Sequence, residues 1–369
     1  MRTARLLLYL LVTLVAVSAT QSEPIAPTAR VVAIADIHGD LDAFLRILKR
    51  ASLIDANQKW SGKDTILVQT GDFLDRGPKT RGVMDFLIQL QKDAGRQNGR
   101  VIVLLGNHEG LNIFGDLRDV TPNDYKSYAD DKSERRRKSA YDSYAAALGS
   151  APPQTFDEWI KSHPLGFIEH REAMSANGKY GKWLRTLPAV AQVNDSIFLH
   201  GGIKTDFATW KIEQINDVVA QEIKNFDAYQ KYMVDEKIVL PFYTLKEMTE
   251  AAAAALKDPE LKDPDRKKFL EGFLTYGGWL SIHPDGPLWF RGYANWSDAE
   301  GAPQIKQLLT AFGVTRFVVG HTPQPGGRVG VRFDGHVFLI DTGMLAGYIP
   351  GGGASALEIL GDKVTPIYP

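Results

Sequence analysis

There is no cysteine anywhere in the 369 residues of this chain. That absence removes a disulfide framework, a thiolate metal ligand and the thioether attachment of a lipoprotein. An excess of charge of either sign is missing too, since 43 basic and 44 acidic side chains leave a formal net charge of -1. Such a balance gives no support to a polyanion-binding surface, so nucleic acid is not expected as a partner. Nor is there a long apolar run: the stretch Leu6 to Val17, broken by Thr13, is twelve residues long, short of the about 20 that cross a bilayer as a helix. With Arg2 and Arg5 before it and Ser18-Ala19-Thr20 after it, this stretch has the layout of a secretory signal peptide. The expectation is a leader over residues 1–22, a proline-containing linker over 23–30, and a mature protein that is periplasmic or secreted and keeps no permanent membrane anchor.

What remains has an ordinary globular composition, 44% hydrophobic and 24% charged, which is enough apolar material for a sizeable core. From Val31 the chain alternates β-prone runs (Val31 to Ala35, Thr65 to Gln69, Val101 to Leu105) with amphipathic ones (Leu41 to Ala51, Val83 to Leu90). Strand, helix, strand, helix, strand predicts a parallel-containing sheet with crossover helices. About residues 111–187 the texture turns polar, charged and aromatic, with helical patterning at Ser139 to Leu148 and Thr155 to Ser162, and reads as a helical insertion. Its run Glu134-Arg135-Arg136-Arg137-Lys138 fits a solvated helix face better than a docking site for acidic substrates.

A second β-rich half follows. Ala189 to Val193 and Ser196 to His200 flank Asn194-Asp195 as a hairpin. Trp210 to Glu222 and Thr244 to Leu256 read as helices, Lys257 to Lys268 as a charged connection, and Pro303 to Phe312 as a helix starting at its proline. Arg316 to Val319 and Val337 to Ile340 read as strands, and a last hairpin turns at Gly361-Asp362-Lys363. No internal repeat is present. The two β-rich halves predict two packed sheets in one catalytic domain over 31–369.

Five clusters punctuate these strands: Asp36-Ile37-His38-Gly39-Asp40, Gly71-Asp72-Phe73-Leu74-Asp75-Arg76-Gly77, Gly106-Asn107-His108-Glu109, His200-Gly201-Gly202 and Gly320-His321. Each sets metal-capable side chains at the carboxyl end of a β-prone run, where open α/β sheets bind ligands. Taken singly, Asp or Asn before Gly is ordinary turn chemistry and a lone His is ordinarily a packed side chain. The ordered set is different. Asp36, His38, Asp72, Asn107, His200 and His321 supply carboxylate, amide and imidazole donors suited to manganese, iron or zinc. Two such ions can share one carboxylate, and Asp72, in the middle motif, is the natural bridge.

These motifs resemble those of the calcineurin-like metallophosphoesterases, specifically their phosphoprotein phosphatase branch. The apolar leader, the insertion and Gly286-Pro287-Leu288-Trp289-Phe290-Arg291-Gly292 resemble, within that branch, the Shewanella-like phosphatases. The resemblance implies a four-layer α/β/β/α sandwich of two mixed sheets and a centre of two divalent metals. Asp36, His38 and Asp72 would hold the first ion, and Asp72, Asn107, His200 and His321 the second. A hydroxide between the ions would attack phosphorus in line, with His108 as general acid, Asp75 orienting it, and Arg76 and Asn107 contacting the phosphate. Arg291 is the candidate for a second phosphate-binding arginine, with a salt-bridged structural role as the alternative. Asp40, Glu109 and Asp341 would brace the site.

Many metallophosphoesterases end in Gly-His-x-His, whereas this chain has Gly320-His321-Thr322-Pro323, the single-histidine form of the phosphoprotein phosphatases. Asp75 stands where related diadenosine tetraphosphate hydrolases typically carry Asn. The reading is therefore a dimetal phosphomonoesterase acting on phosphorylated protein or peptide, at phosphotyrosine or phosphoserine/threonine. Hydrolysis of dinucleoside polyphosphates or small diesters is the enzymatic alternative, and a catalytically silent phospho-ligand binding protein the other. His163, His170, His283 and His336 fit no motif and are expected to pack or face solvent. Trp279, Trp289, Phe290, Tyr293 and Trp296 read as core aromatics, with a groove for a phosphotyrosine ring as the lesser alternative.

Overall fold

The computed structural model describes residues 29–148, 153–259 and 261–369; the expected leader and most of the linker lie outside them. The chain opens with β1 (Val31–Ile34), α1 (Leu41–Arg50), β2 (Ile66–Gln69), α2 (Thr80–Gly95) and β3 (Arg100–Val103). The three strands pair in parallel in the order β1-β2-β3, as the alternation predicts. β1 and the first three residues of β2 read as unbroken apolar runs because both of their faces are covered. Val32, Ile34 and Leu67 are buried in one core with Phe44 and Ile47 of α1 and Val83 and Leu87 of α2. Val31, Ala33, Ile66 and Val68 belong to a second core shared with the opposite sheet.

Next come α3 (Asn107–Phe114), α4 (Pro122–Tyr128), α5 (Ser133–Leu148), α6 (Phe156–Ser162), α7 (Phe167–Met174) and α8 (Lys179–Leu184). Thr121 and Thr155 start α4 and α6 by accepting the N–H of Asp124 and Glu158, whose carboxylates reach back to the cap. The basic run lies on α5, where Arg136 pairs with Asp130 and Glu169, Arg137 with Glu134, and Lys138 with Asp142. That is the solvated, ion-paired face.

The second sheet forms from β4 (Val190–Val193) and β5 (Ser196–Leu199), then, beyond α9 (Ile212–Asp235), α10 (Leu245–Leu256), α11 (Pro264–Leu274), α12 (Gly292–Asn295) and α13 (Asp298–Phe312), from β6 (Arg316–Val319), β7 (Gly330–Arg332) and β8 (Val337–Leu339). Its order is β4-β5-β6-β8-β7, with β5, β6 and β8 parallel. The final hairpin, β9 (Ala356–Leu360) and β10 (Lys363–Ile367), returns to the first sheet and extends it antiparallel to β1. Val193, Phe198, Val318 and Phe338 meet Val31, Val68 and Leu357 between the sheets. Two mixed sheets packed face to face and flanked by helices make the four-layer sandwich.

Two expectations fail locally. The stretch taken as a connection after Lys257 contains α11: Asp263 accepts the N–H of Asp265 and Arg266, Pro264 occupies the first turn, and Leu270 and Phe273 are buried. α13 starts five residues before Pro303, because Ser297 caps Glu300 and the proline falls inside the helix. The short strand β7 carried no pattern long enough to read.

A candidate metal centre where two sheets meet

β1, β2, β3, β5 and β6 all end at one edge of the sandwich, so the five clusters that follow them converge. Register makes the convergence tight: Leu199 pairs with Val319, and the Gly320 N–H then donates to the His200 carbonyl at 2.9 Å. Across the first sheet, the Ile37 and His38 N–H groups donate to the Asp72 carbonyl at 2.9 and 3.0 Å. Asp36, His38, Asp72, Asn107, His108, His200 and His321 are all brought together, none more than 4% exposed.

Turning so many side chains inward needs unusual backbone. His38, Asp72, Asp75, Arg76 and His321 hold φ of 44°, 54°, 65°, 65° and 69°. This left-handed region is uncommon for residues other than glycine and concentrates where function demands it. The glycines serve a second purpose. A Cβ on Gly106 would run into the Asp72 carboxylate, and one on Gly320 into that of Asp36.

Three histidines are fixed by backbone carbonyls. His38 Nδ1 lies 2.8 Å from Leu74 O, His200 Nδ1 3.0 Å from Thr70 O, and His321 Nε2 3.0 Å from Trp289 O. A neutral imidazole so bonded carries its proton on the outer nitrogen and turns a bare lone pair inward. Those inner nitrogens point at Asp72: its Oδ2 is 3.8 Å from His38 Nε2 and 3.1 Å from His200 Nε2. Around His200 Nε2 stand Asn107 Oδ1 at 3.0 Å and His321 Nδ1 at 3.1 Å. Asp36 Oδ2 completes the other side, 4.0 Å from His38 Nε2.

Lone pairs and carboxylates gathered this closely out of water repel one another unless a cation sits among them. Burial already keeps two of the imidazoles from supplying that charge as protons, pushing His38 down to about 3 and holding His321 well below its ordinary value. Burial and the neighbouring Asp341 and Asp72 charges raise Asp36 well above the carboxylate range. Asp72, although burial opposes its charge, is held well below that range by His200 and His108. Two groups in the centre can hold a metal, His38 with Asp72 and His108, and Asp72 with His200 and His321, their ligand atoms within 4.8 Å of one another. The donors fit divalent ions, and Asp72 belongs to both groups.

His108 differs from the other three. Its Nδ1 faces a carboxylate, Asp75 Oδ2 at 2.8 Å, and Asn112 Nδ2 donates to Asp75 Oδ1 at 2.9 Å. Burial opposes a charge here too, yet Asp72 and Asp75 overcome it and raise His108 to about 9. As an imidazolium it is a proton donor; only its neutral ring can join His38 and Asp72 around an ion. Glu109 underpins the whole arrangement: Oε2 accepts the N–H of Asp72 at 2.7 Å and of Gly106 at 2.8 Å, and Oε1 those of Phe73 at 3.0 Å and Leu74 at 3.1 Å. Burial and the Asp72 charge push its pKa up to about 8, against the pull of those donors.

At the mouth, Arg76 NH1 lies 2.8 Å from His38 Nε2 and donates to the Tyr348 hydroxyl at 2.8 Å. Arg291 NH1 donates to His321 O at 2.8 Å and Thr322 Oγ1 at 3.1 Å, which brings its head to the same rim. Asp341 braces a turn by accepting the Gly343 N–H at 3.0 Å, and Asp40 caps α1 through Ala43 N at 2.9 Å. His163 and His170 lie buried in the helical region, away from the clusters. Two residues of the rim were not foreseen. Tyr348 follows a strand end in a glycine-rich stretch with no motif, and Asp119, whose Oδ2 is 4.0 Å from His108 Nδ1, lies between α3 and α4.

A fold of two packed mixed sheets with buried Asp, Asn and His converging at their strand ends is that of a metallophosphatase. Residues 29–325 match the family model described as calcineurin-like phosphoesterase, and the chain belongs to that family, which works with a dimetal centre. It is 28% identical over 318 residues to Shewanella-like protein phosphatase 1 of Plasmodium berghei (strain Anka), spanning 85% of this chain and 67% of that one. With Shewanella-like protein phosphatase 2 of Arabidopsis thaliana it shares 32% identity over 212 residues, 53% of this chain and 52% of that one. The crystal structure of a cold-active protein-tyrosine phosphatase of a psychrophile Shewanella sp. superposes with a TM-score of 0.59 at 24% identity, covering 92% of this chain and 77% of that one. That likeness shows a shared fold.

Proposed function

We propose that this phosphatase hydrolyses phosphomonoesters on protein or peptide, with phosphotyrosine and phosphoserine/threonine both admissible to its site. The observation that carries the reading is the pairing, in one buried site, of a proton-poor ligand cage with a proton-rich histidine 3.8 Å from the shared carboxylate. Names of the similar proteins from Plasmodium and Arabidopsis point the same way.

In this proposal Asp36, His38 and Asp72 hold one divalent ion, and Asp72, Asn107, His200 and His321 the second; manganese, iron and zinc suit these oxygen and nitrogen donors. When bound, the ions neutralise phosphoryl oxygens and make water nucleophilic at neutral pH. Arg76 presents a planar fork to two phosphate oxygens, and Arg291 and the Asn107 amide add further donors at the rim. His108 gives its Nε2 proton to the leaving oxygen, while Asp75 holds the ring through Nδ1 and keeps it charged. The leader reading, which falls outside the described residues, leads us to propose further that the protein is exported and works in the periplasm or outside the cell. Residues 111–187 are proposed to be an insertion in a single catalytic domain over 31–369.

The test is hydrolysis, by metal-stripped and manganese-reconstituted mature protein, of phosphotyrosine and phosphoserine/threonine peptides beside a dinucleoside tetraphosphate. Metal-dependent peptide turnover is expected. Preference for the dinucleotide would move the chain to a small-molecule phosphohydrolase, and no turnover of any substrate would favour a phospho-ligand binding protein.

A further inference from the structure

Tyr348 is an aromatic side chain in an unusual position. It is 37% exposed, yet its ring centroid lies 5.7 Å from that of His38 and 4.8 Å from the Arg76 guanidinium carbon. Its hydroxyl bonds Arg76 NH1 at 2.8 Å. Most of the aromatic group from Trp279 to Trp296, which the sequence offers as a possible groove wall, is engaged elsewhere. Phe290 and Tyr293 are 7% and 1% exposed, their rings pack at 5.8 Å, and Trp296 meets Phe290 edge-on at 5.2 Å. Trp289 stays near the centre, its ring edge-on to His321 at 6.2 Å, but it is tied back by its indole N–H to Ser281 O at 3.1 Å and lies apart from the Arg76 contact that Tyr348 makes.

We infer that Tyr348 selects the leaving group, its ring forming the wall against which the aryl ring of a phosphotyrosine side chain packs while Arg76 holds the phosphate. The inference rests on the phosphoprotein reading above and narrows it to aryl phosphomonoesters. Its geometry follows from Arg76. A phosphate held by the guanidinium fork lies beside the Tyr348 ring, and the aryl group of phosphotyrosine begins one ester bond from phosphorus. An aryl group packed against the Tyr348 ring in this way would fall in the 4.5–7 Å range in which aromatic pairs attract. A phosphoserine ester offers only a methylene before the peptide backbone and has no flat face to present.

The surrounding backbone suits a contact that forms with substrate. Tyr348 stands between Gly347, at φ 78°, and Gly351, at φ 73°, with Gly352 and Gly353 following. A Cβ at Gly347 would meet nothing within 4 Å, so the ring is carried on a segment free of side-chain packing on that side. The hydroxyl adds a second effect: by holding Arg76 it positions the fork for either class of substrate. Selectivity therefore resides in the ring and general positioning in the hydroxyl, and the two are separable by substitution.

The experiment measures kcat and KM of wild type, Tyr348→Phe and Tyr348→Leu on a phosphotyrosine peptide and a phosphoserine peptide with identical flanks. Aryl esters are intrinsically better leaving groups, so each variant's phosphotyrosine-to-phosphoserine ratio of kcat/KM is divided by that of wild type, which cancels the chemistry. Tyr348→Leu is expected to lower the ratio about 10-fold, chiefly by raising KM for the phosphotyrosine peptide. Tyr348→Phe is expected to keep the ratio within about 2-fold while lowering turnover of both peptides. A ratio unmoved by Tyr348→Leu, with wild type active on both peptides, overturns the role of Tyr348 and leaves the phosphatase reading standing. Wild type that hydrolyses neither peptide but cleaves a dinucleoside tetraphosphate overturns both.

Discussion

His200 Nε2 and His321 Nδ1 face each other at 3.1 Å, while the opposite nitrogen of each ring is bonded to a backbone carbonyl, Thr70 and Trp289 respectively. Two lone pairs in that position, beside the Asp72 carboxylate, require a shared cation. A chelator should therefore lower the melting temperature and divalent metal should restore it, the stabilisation reaching about 2.7 kcal/mol at a free metal concentration 100 times Kd. Asp72→Asn should lose metal and activity together. Full metal retention by that variant, read by elemental analysis, would count against Asp72 as the bridge.

His108 has its proton secured by Asp75 at 2.8 Å. His108→Ala should keep its metal and lose about 100-fold or more in kcat; turnover equal to wild type would remove the general-acid role. The acid form is present below the raised pKa of about 9, so kcat should fall as pH rises through that value. Asp75→Asn takes away an anion that favours the imidazolium, and the alkaline limb should move to lower pH. A limb that stays in place would assign it to another group.

Glu109 accepts four backbone N–H groups from two motifs, at 2.7 to 3.1 Å. Glu109→Gln replaces one acceptor oxygen by a donor that then faces buried N–H groups. The expected loss is about 3 kcal/mol in urea unfolding, accompanied by weaker metal retention because Asp72 N is one of those donors. Unfolding at the wild-type midpoint would show the cradle to be dispensable.

His170 is buried against the Tyr125 and Tyr128 rings, and burial lowers its pKa to about 3. In the unfolded chain it protonates near 6.5, so between about 6.5 and 3 the unfolded state binds more protons and stability falls as pH falls. From pH 7 to 5 this group alone should cost about 2 kcal/mol. His170→Phe keeps a ring and abolishes the titration, so its stability should drop less over the same interval by about that amount. Equal drops in the two proteins would place the acid sensitivity elsewhere.

Much of this was legible in the linear order of residues. β-prone runs ending in Asp-x-His, Gly-Asp and Gly-Asn-His place donors at strand ends, because a strand's register alone decides where its last side chain emerges. The capped helices beginning after Thr155 and Thr244 were equally local, since a cap satisfies N–H groups three residues away. Elements whose local signals competed were harder: α13 reads as starting at Pro303 until the Ser297 cap is seen to take precedence, and α11 hides behind charged residues.

By itself the sequence determined the fold class, the family's donor set and the order in which the donors appear, all properties of short segments and their spacing. Only the tertiary structure decided which nitrogen of each imidazole faces inward, because that depends on carbonyls of Leu74, Thr70 and Trp289 supplied by distant segments. It alone brought Tyr348 to Arg76 across 272 positions of chain. Neither contact leaves a periodic pattern in sequence; both arise where two sheets pack and the loops at their edges are forced into one small volume.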